Sequence, residues 1–153
     1  MRRALGFVSS GRLCGRIAES WCGFYAGGEP LAVRLLDSEF RPLTDRERGL
    51  IDKLLEQEFQ GRDELRKQLA SVIAKQVIDD GTLSLQCLEG PPAPGKRSIA
   101  NEATCTDSDG GLMAVMLFVG SNGMMYLLEI IKYDGTPIIQ PPTAENLVLR
   151  LFD

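Results

Sequence analysis

The chain has 153 residues, 44% of them hydrophobic and 25% charged, and a formal net charge of −4. This length suits one domain with a substantial core, the acidic balance argues against nucleic acid as a partner, and no apolar run approaches the roughly 20 residues of a membrane helix. The lack of histidine excludes Ser-His-Asp and Cys-His catalysis and histidine-bound zinc. We therefore predict no catalytic residue, no cofactor and no membrane partner, and, since no secretory signal is present, a cytoplasmic protein.

The first 36 residues differ from the rest of the chain in charge. They carry a net charge of +3, whereas residues 37–153 carry −7. Gly27-Gly28 followed by Pro30 indicates a boundary. We predict an N-terminal extension over 1–36 and a single α+β domain over 37–153. The sequence leaves open whether the extension belongs to the functional protein.

The chain has four cysteines that form no C-x-x-C pair: Cys14, Cys22, Cys87 and Cys105. Without a secretory signal the expectation is four reduced thiols, and their spacing is wrong for the usual zinc knuckles. We predict no metal site, and a thiol-bound metal is the weakest alternative.

Two helices are predicted at the start of the domain. The first, over 44–60, begins with a capping box of Thr44 and Glu47, which is followed by apolar residues at helical spacing. Asp63 is expected to cap a second helix over 63–70.

The stretch 71–78 is ambiguous. Its apolar residues would extend the second helix, whereas the Asp-Asp-Gly at 79–81 and the alternating Leu83, Leu85 and Cys87 indicate a hairpin. We favour a helix to about Ala70 followed by a strand. A Pro- and Gly-dense loop, LEGPPAPGKR, comes next.

The second half of the domain reads as strands. Strands 112–119 and 124–132 are joined by Ser121-Asn122-Gly123, and Asn-Gly between two apolar runs is a strong hairpin signal. The predicted fold class is α+β, with two N-terminal helices followed by an antiparallel β-meander of about five strands.

Both faces of this hairpin are apolar. Alternation predicts one face with Met113, Val115, Leu117 and Val119, and in the second strand it groups Met125, Leu127, Glu129 and Ile131 against Met124, Tyr126, Leu128 and Ile130. The two helices can cover only one face. We predict three alternative covers for the other: an N-terminal segment with Phe7, Trp21, Phe24 and Tyr25; the C-terminal Leu147, Leu149, Leu151 and Phe152; or a second copy of the chain in a two-fold dimer. The predicted interface residues are Met113, Met116, Phe118, Met124, Tyr126 and Leu128.

A group of polar residues at the strand ends is the candidate ligand site: Asp107, Asp109, Glu129, Lys132 and Asp134. Asp107-x-Asp109-Gly resembles the first half of a calcium loop, but the third oxygen ligand and the distal glutamate are missing. We interpret it as a turn. For Glu129, pairing with Lys132 or an arginine, or exposure to solvent, is the preferred interpretation.

Four motifs from Arg41 onward, RPLTDRERGLIDKLL, DDGTLSL, TDSDGG and YLLEIIKYDGTPI, resemble a family of small bacterial domains of unknown function. The resemblance covers residues 41–140. It implies an α+β fold with an antiparallel sheet and no established activity. Similar small domains are suspected of being toxin-immunity proteins, and that role reaches this chain by analogy alone.

Two functions follow as alternatives. The first is a non-catalytic module that binds a protein partner, with a toxin that it neutralises and a second copy of itself among the candidates. The apolar hairpin, the acidic domain and the missing catalytic equipment favour it. The second is a small-molecule-binding or carboxylate-based enzymatic domain, which requires the five polar residues to converge in one pocket.

Overall fold

The structure, a computed structural model, describes residues 36–95 and 98–150. These residues form two α-helices, a short 3-10 helix and seven strands. The elements in chain order are β1 (Arg41–Pro42), α1 (Asp45–Leu54), α2 (Arg62–Leu69), β2 (Val72–Gln76), β3 (Leu83–Cys87), β4 (Ile99–Thr106), β5 (Leu112–Val119), β6 (Met125–Lys132), the 3-10 helix (Ala144–Asn146) and β7 (Val148–Leu149).

The seven strands form one antiparallel sheet in the order β1-β2-β3-β6-β5-β4-β7. The predicted fold class is therefore wrong. A strand precedes the helices, another follows the hairpins, and the strands are not a meander, because β3 lies beside β6 and not beside β4. With only two short helices, the described domain is mostly sheet.

The connection between β3 and β4 explains why no meander forms. The Ala93 N–H donates to the Gly123 carbonyl at 2.8 Å, so this loop, the crossover loop, runs past the turn of the β5–β6 hairpin to the far side of that hairpin. A long Pro- and Gly-rich loop does not dictate which strands become neighbours, as a two-residue turn does.

The start of α1 is where the sequence predicts it, but its end is not. The capping box is confirmed: Thr44 Oγ1 accepts from the Glu47 N–H at 3.2 Å, and Glu47 Oε2 accepts from the Thr44 N–H at 2.9 Å. The helix ends at Leu54 instead of residue 60. The Leu54 carbonyl accepts from Asn101 Nδ2 at 2.7 Å, so a distant side chain satisfies the helix end.

The second helix also begins differently from its prediction. Its N-cap is Gly61, with a left-handed φ of +95° and no side-chain cap, and not Asp63. The ambiguous stretch resolves as favoured in the sequence, since α2 ends at Leu69 and β2 begins at Val72.

The predicted hairpin of β5 and β6 is confirmed, with one irregularity. The register shifts between Phe118 and Val119, so that Val119 opposes Met125 and Tyr126 is an extra residue. Met125 consequently joins the buried core at 1% exposure, while Tyr126 is 46% exposed. The predicted grouping of these two residues was wrong for this reason.

Both helices pack on the face that carries Met113, Val115 and Leu117. We call this the helix face and the opposite one the second face. Of the predicted covers for the second face, the C-terminal Leu147 and Leu149 instead pack with the helix-face core. The N-terminal cover and the predicted extension lie outside the described residues, except Leu36, as do Leu151 and Phe152.

Candidate functional site

Four of the five predicted ligand-site residues meet at one end of the sheet. The Lys132 ammonium donates to Asp107 Oδ2 at 2.9 Å, to Asp109 Oδ2 at 2.7 Å and to the Pro137 carbonyl at 3.2 Å. Asp134 accepts from the N–H and the hydroxyl of Thr136 beside them. We call Asp107, Asp109 and Lys132 the ion cluster.

The carboxylate of Asp107 is saturated with donors. Its Oδ2 accepts from Lys132 and from the Ile139 N–H at 2.8 Å, and its Oδ1 accepts from the N–H groups of Ser108 and Gln140 at 2.7 and 2.8 Å. Its side chain is 0% exposed and that of Lys132 is 2% exposed. Asp107 therefore ties the segment after β6 to the end of β4.

The ionised forms of the cluster are strongly favoured. Burial alone would raise the pKa of Asp107, but donation from the Ile139 N–H and from Lys132 holds that pKa well below its usual range. The pKa of Asp109 is lowered, first of all by its hydrogen bond from Lys132. Burial would lower the pKa of Lys132, yet its hydrogen bonds to Asp109 and Asp107 raise it. The three groups stay charged across the neutral range.

In this geometry both carboxylates of the half calcium loop accept from Lys132. The three ammonium protons of Lys132 are all used on oxygen atoms. The turn itself is confirmed by the Gly110 N–H, which donates to the Asp107 carbonyl at 2.9 Å. No group of His, Cys, Asp and Glu in the described ranges is arranged to hold a metal ion.

Glu129 does not join the ion cluster. It opposes Met116 on the second face, whereas Lys132 opposes Met113 on the helix face. Of the alternatives predicted for Glu129, pairing with Lys132 is therefore not formed, and the residue is partly exposed. The salt bridges among the described residues do not include Glu129.

The second face is apolar with carboxylates at its centre. In β4, β5 and β6 it includes Glu102, Thr104, Thr106, Leu112, Ala114, Met116, Phe118, Leu127, Glu129 and Ile131. Met116 lies between Glu102 on one side and Glu129 on the other. Glu102 is paired with Arg150 at 3.0 Å. The Tyr126 ring packs beside Phe118, with ring centroids 6.3 Å apart.

The predicted interface residues are divided between three places. Met113 and Leu128 are buried in the helix-face core at 1% and 0% exposure. Met116 and Phe118 are on the second face, half-buried, and Tyr126 is exposed beside them. Met124 is half-buried in the hairpin turn.

Sequence reasoning missed Gln68, a fully buried polar residue on α2. Its Nε2 donates to the carbonyls of Pro91 and Gly123, both at 2.8 Å, and its Oε1 accepts from the Met125 N–H at 3.0 Å. Gln68 thus joins a helix, the crossover loop and the hairpin turn. No sequence pattern around Gln68 indicates that it connects these three segments.

The cysteines that are described are separated. Cys87 ends β3 and Cys105 lies in β4, with β6 and β5 between those strands. Burial raises the pKa of both thiols. Cys14 and Cys22 lie outside the described residues. The helices of the described ranges are all too short or too polar to cross a membrane.

Comparison with known families assigns the chain to a family by its sequence. The model of a family described as a domain of unknown function, DUF6984, matches residues 40–142. The chain belongs to this family, and the resemblance seen from Arg41 onward is confirmed. No curated protein and no solved structure matches the chain.

Proposed function

We propose that this domain binds a protein partner through the second face of its sheet. The observation that carries the proposal is the partial exposure of Met116, Phe118 and Leu127, with Tyr126 exposed beside them. Aromatic residues and methionine are enriched in protein interfaces, and a methionine adapts to the shape of its partner. A pleated surface without a deep cavity suits a protein better than a small molecule.

The charge of the second face favours a different protein over a second copy of the chain. A two-fold axis through Met116 would bring Glu129 of one copy close to Glu129 or to Glu102 of the other, depending on the direction of the axis, and like charges facing each other in an interface are unfavourable. A partner with a lysine or arginine among apolar residues would instead satisfy Glu129. A toxin that the domain neutralises, the class suggested by analogy in the sequence, fits if its contact surface is basic.

Site-specific photo-crosslinking of the full chain tests this proposal. A benzoylphenylalanine replaces Tyr126, and the protein is irradiated in an extract of its source cells. We expect one major adduct with a basic protein, weakened by added salt because the contact is partly electrostatic. Glu129→Lys should remove the adduct.

Glu64→Lys is the matched control, since Glu64 is a partly exposed residue of α2 on the other side of the sheet. It should leave the adduct unchanged. Light scattering coupled to gel filtration gives the oligomeric state in parallel. A dimer with adducts only between copies of the chain would replace this proposal with self-association, and an adduct insensitive to Glu129→Lys would contradict it.

A further inference from the structure

Two glutamates flank one methionine on the second face. Glu102 in β4 and Glu129 in β6 both oppose Met116 in β5, so the three residues form one row across the sheet. Neighbouring strands are about 4.8 Å apart, which puts the Cα atoms of the two glutamates about 9.5 Å from each other. Side chains of one row stand on the same face of a sheet. A cation that lies over Met116 is therefore within reach of both carboxylates.

One of these carboxylates already holds a guanidinium. Arg150 Nη1 donates to Glu102 Oε1 at 3.0 Å, and among the described residues this is the one hydrogen bond that the carboxylate accepts. The side chain of Glu102 is 11% exposed, whereas that of Arg150 is 56% exposed. An arginine and a carboxylate often form two parallel hydrogen bonds. The contact in this fold is half of that arrangement.

The side chain of Arg150 can leave Glu102 while the strands stay paired. The Arg150 N–H donates separately to the Glu102 carbonyl at 3.0 Å, and β7 pairs with β4 through Val148 and Leu149. These backbone contacts do not depend on the guanidinium. An ion pair with one exposed partner contributes little to stability, so a second cation can displace the side chain of Arg150 at a small cost.

We propose that an arginine of the partner protein displaces Arg150 and lies over Met116, where it bonds to both Glu102 and Glu129. This inference rests on the protein-binding role proposed above and specifies the group that the second face recognises. In the free domain Arg150 is accordingly a substitute ligand that competes with the partner for Glu102.

The chemistry of the row favours arginine over lysine. A planar guanidinium has five N–H donors along its edges and can bridge two carboxylates, whereas an ammonium is a compact point charge. The residues that adjoin the row along β5 and β6 are Ala114, Phe118, Leu127 and Ile131. Because these neighbours are apolar, the arginine of the partner is expected to stand between apolar side chains.

Three capped tripeptides test this inference. The first is acetyl-Leu-Arg-Phe-amide, the second has lysine in place of arginine, and the third has citrulline, which keeps the shape of arginine without its charge. Each is titrated into the ¹⁵N-labelled full chain at constant ionic strength and followed by amide chemical shifts. We expect the arginine peptide to cause saturable shifts at Glu102, Met116 and Glu129. The other two peptides should bind at least about fivefold more weakly.

Arg150→Met removes the competing guanidinium and keeps an unbranched side chain. Since an exposed ion pair is closed only a few times more often than it is open, its removal should tighten binding of the arginine peptide about twofold to sixfold. Lys67→Met is the matched control, because it removes one positive charge from an exposed position of α2. It should leave the affinity unchanged within about 1.5-fold.

Glu102→Gln removes one of the two carboxylates and should bring the affinities for the arginine and lysine peptides to within about twofold of each other. The inference is overturned if the native chain binds these two peptides equally or shows no saturable shifts in the row. It is also overturned if Arg150→Met binds the arginine peptide no more tightly than the native chain does.

The two proposals fail in different ways. If the Tyr126 adduct forms and Glu129→Lys removes it, while Arg150→Met leaves the affinity for the arginine peptide unchanged, the protein-binding role stands and only the displacement of Arg150 is overturned. The absence of any adduct contradicts the protein-binding role itself, and that result is independent of the peptide titrations.

Discussion

Lys132 and Asp107 are 25 residues apart in the chain and form an ion pair of 2.9 Å in which both side chains are almost completely buried. The sequence predicts that both residues lie near one end of the sheet, and in the structure their ion pair connects the ends of two strands. Removing one partner of such a pair leaves an uncompensated buried charge. The cluster is accordingly a stability element, and Lys132 has no proton left for a ligand.

Lys132→Met should lower the Tm by at least about 10 °C. The change keeps the apolar stem and removes the ammonium, so that Asp107 and Asp109 face each other without a counter-ion. Thermal unfolding followed by circular dichroism measures the effect.

The matched control is Lys53→Met, because Lys53 pairs with Glu56 at 3.1 Å on the surface, with side chains 28% and 58% exposed. Exposed ion pairs contribute little to folding stability, so the Tm of the Lys53→Met variant should change by less than about 3 °C. Similar Tm values for the two variants would contradict a special role for the ion cluster.

The ion cluster also predicts an acid-sensitive stability. The pKa values of Asp107 and Asp109 in the folded protein lie below their unfolded value of about 3.9. The contribution of these two carboxylates to the free energy of unfolding is therefore present above about pH 4. It is lost as the pH falls through the pKa values of the folded protein, because the unfolded chain binds protons first.

Asp107→Asn tests the sign of this effect. At about pH 3 the variant should take up about one proton fewer on unfolding than the native chain. The slope of the unfolding free energy against pH, from urea titrations between about pH 2.5 and pH 5, gives that number. Equal slopes for both chains would mean that Asp107 has an ordinary pKa.

Local signals in the sequence were sufficient for some elements. The Thr44–Glu47 capping box and the Asn122-Gly123 turn both depend on residues within four positions of each other, and both occur where predicted. The alternation of side chains in β6 also explains why Glu129 and Lys132 lie on opposite faces of the sheet, because residues three positions apart in a strand point to opposite faces.

The rest of the fold depends on contacts between distant residues. The end of α1 is fixed by Asn101, which is 47 positions from Leu54, and the strand order follows the path of the crossover loop past Gly123. The bulge at Tyr126 has no turn residue to signal it. For these reasons the helix length, the strand order and two side-chain orientations could not be predicted.

Gln68→Met should destabilise the fold by about 2–4 kcal/mol. The substitution leaves the Met125 N–H buried without its partner, at a cost of about 1–3 kcal/mol. It also removes the hydrogen bond to the Pro91 carbonyl and one of the two to the Gly123 carbonyl, which keeps the Ala93 N–H, and each lost bond costs about 0.5–1.5 kcal/mol. Urea denaturation measures the loss. Gln86→Met, at an exposed position of β3, should change the stability by less than about 0.5 kcal/mol. A small effect of Gln68→Met would show that the crossover loop is held by other contacts.

The two glycines after Asp109 should respond differently to alanine. A Cβ at Gly111 would lie 2.5 Å from Lys132 Cε, and Lys132 cannot move away because its ammonium is held by three oxygens. A Cβ at Gly110 meets nothing within 4 Å, so that only its left-handed φ of +88° opposes the change, at about 1–2 kcal/mol. We expect Gly110→Ala to lower the Tm by about 5–10 °C and Gly111→Ala to lower it by about twice as much. Thermal unfolding of both variants side by side tests this prediction. If Gly111→Ala is as stable as Gly110→Ala, the Lys132 side chain can move away from the added Cβ.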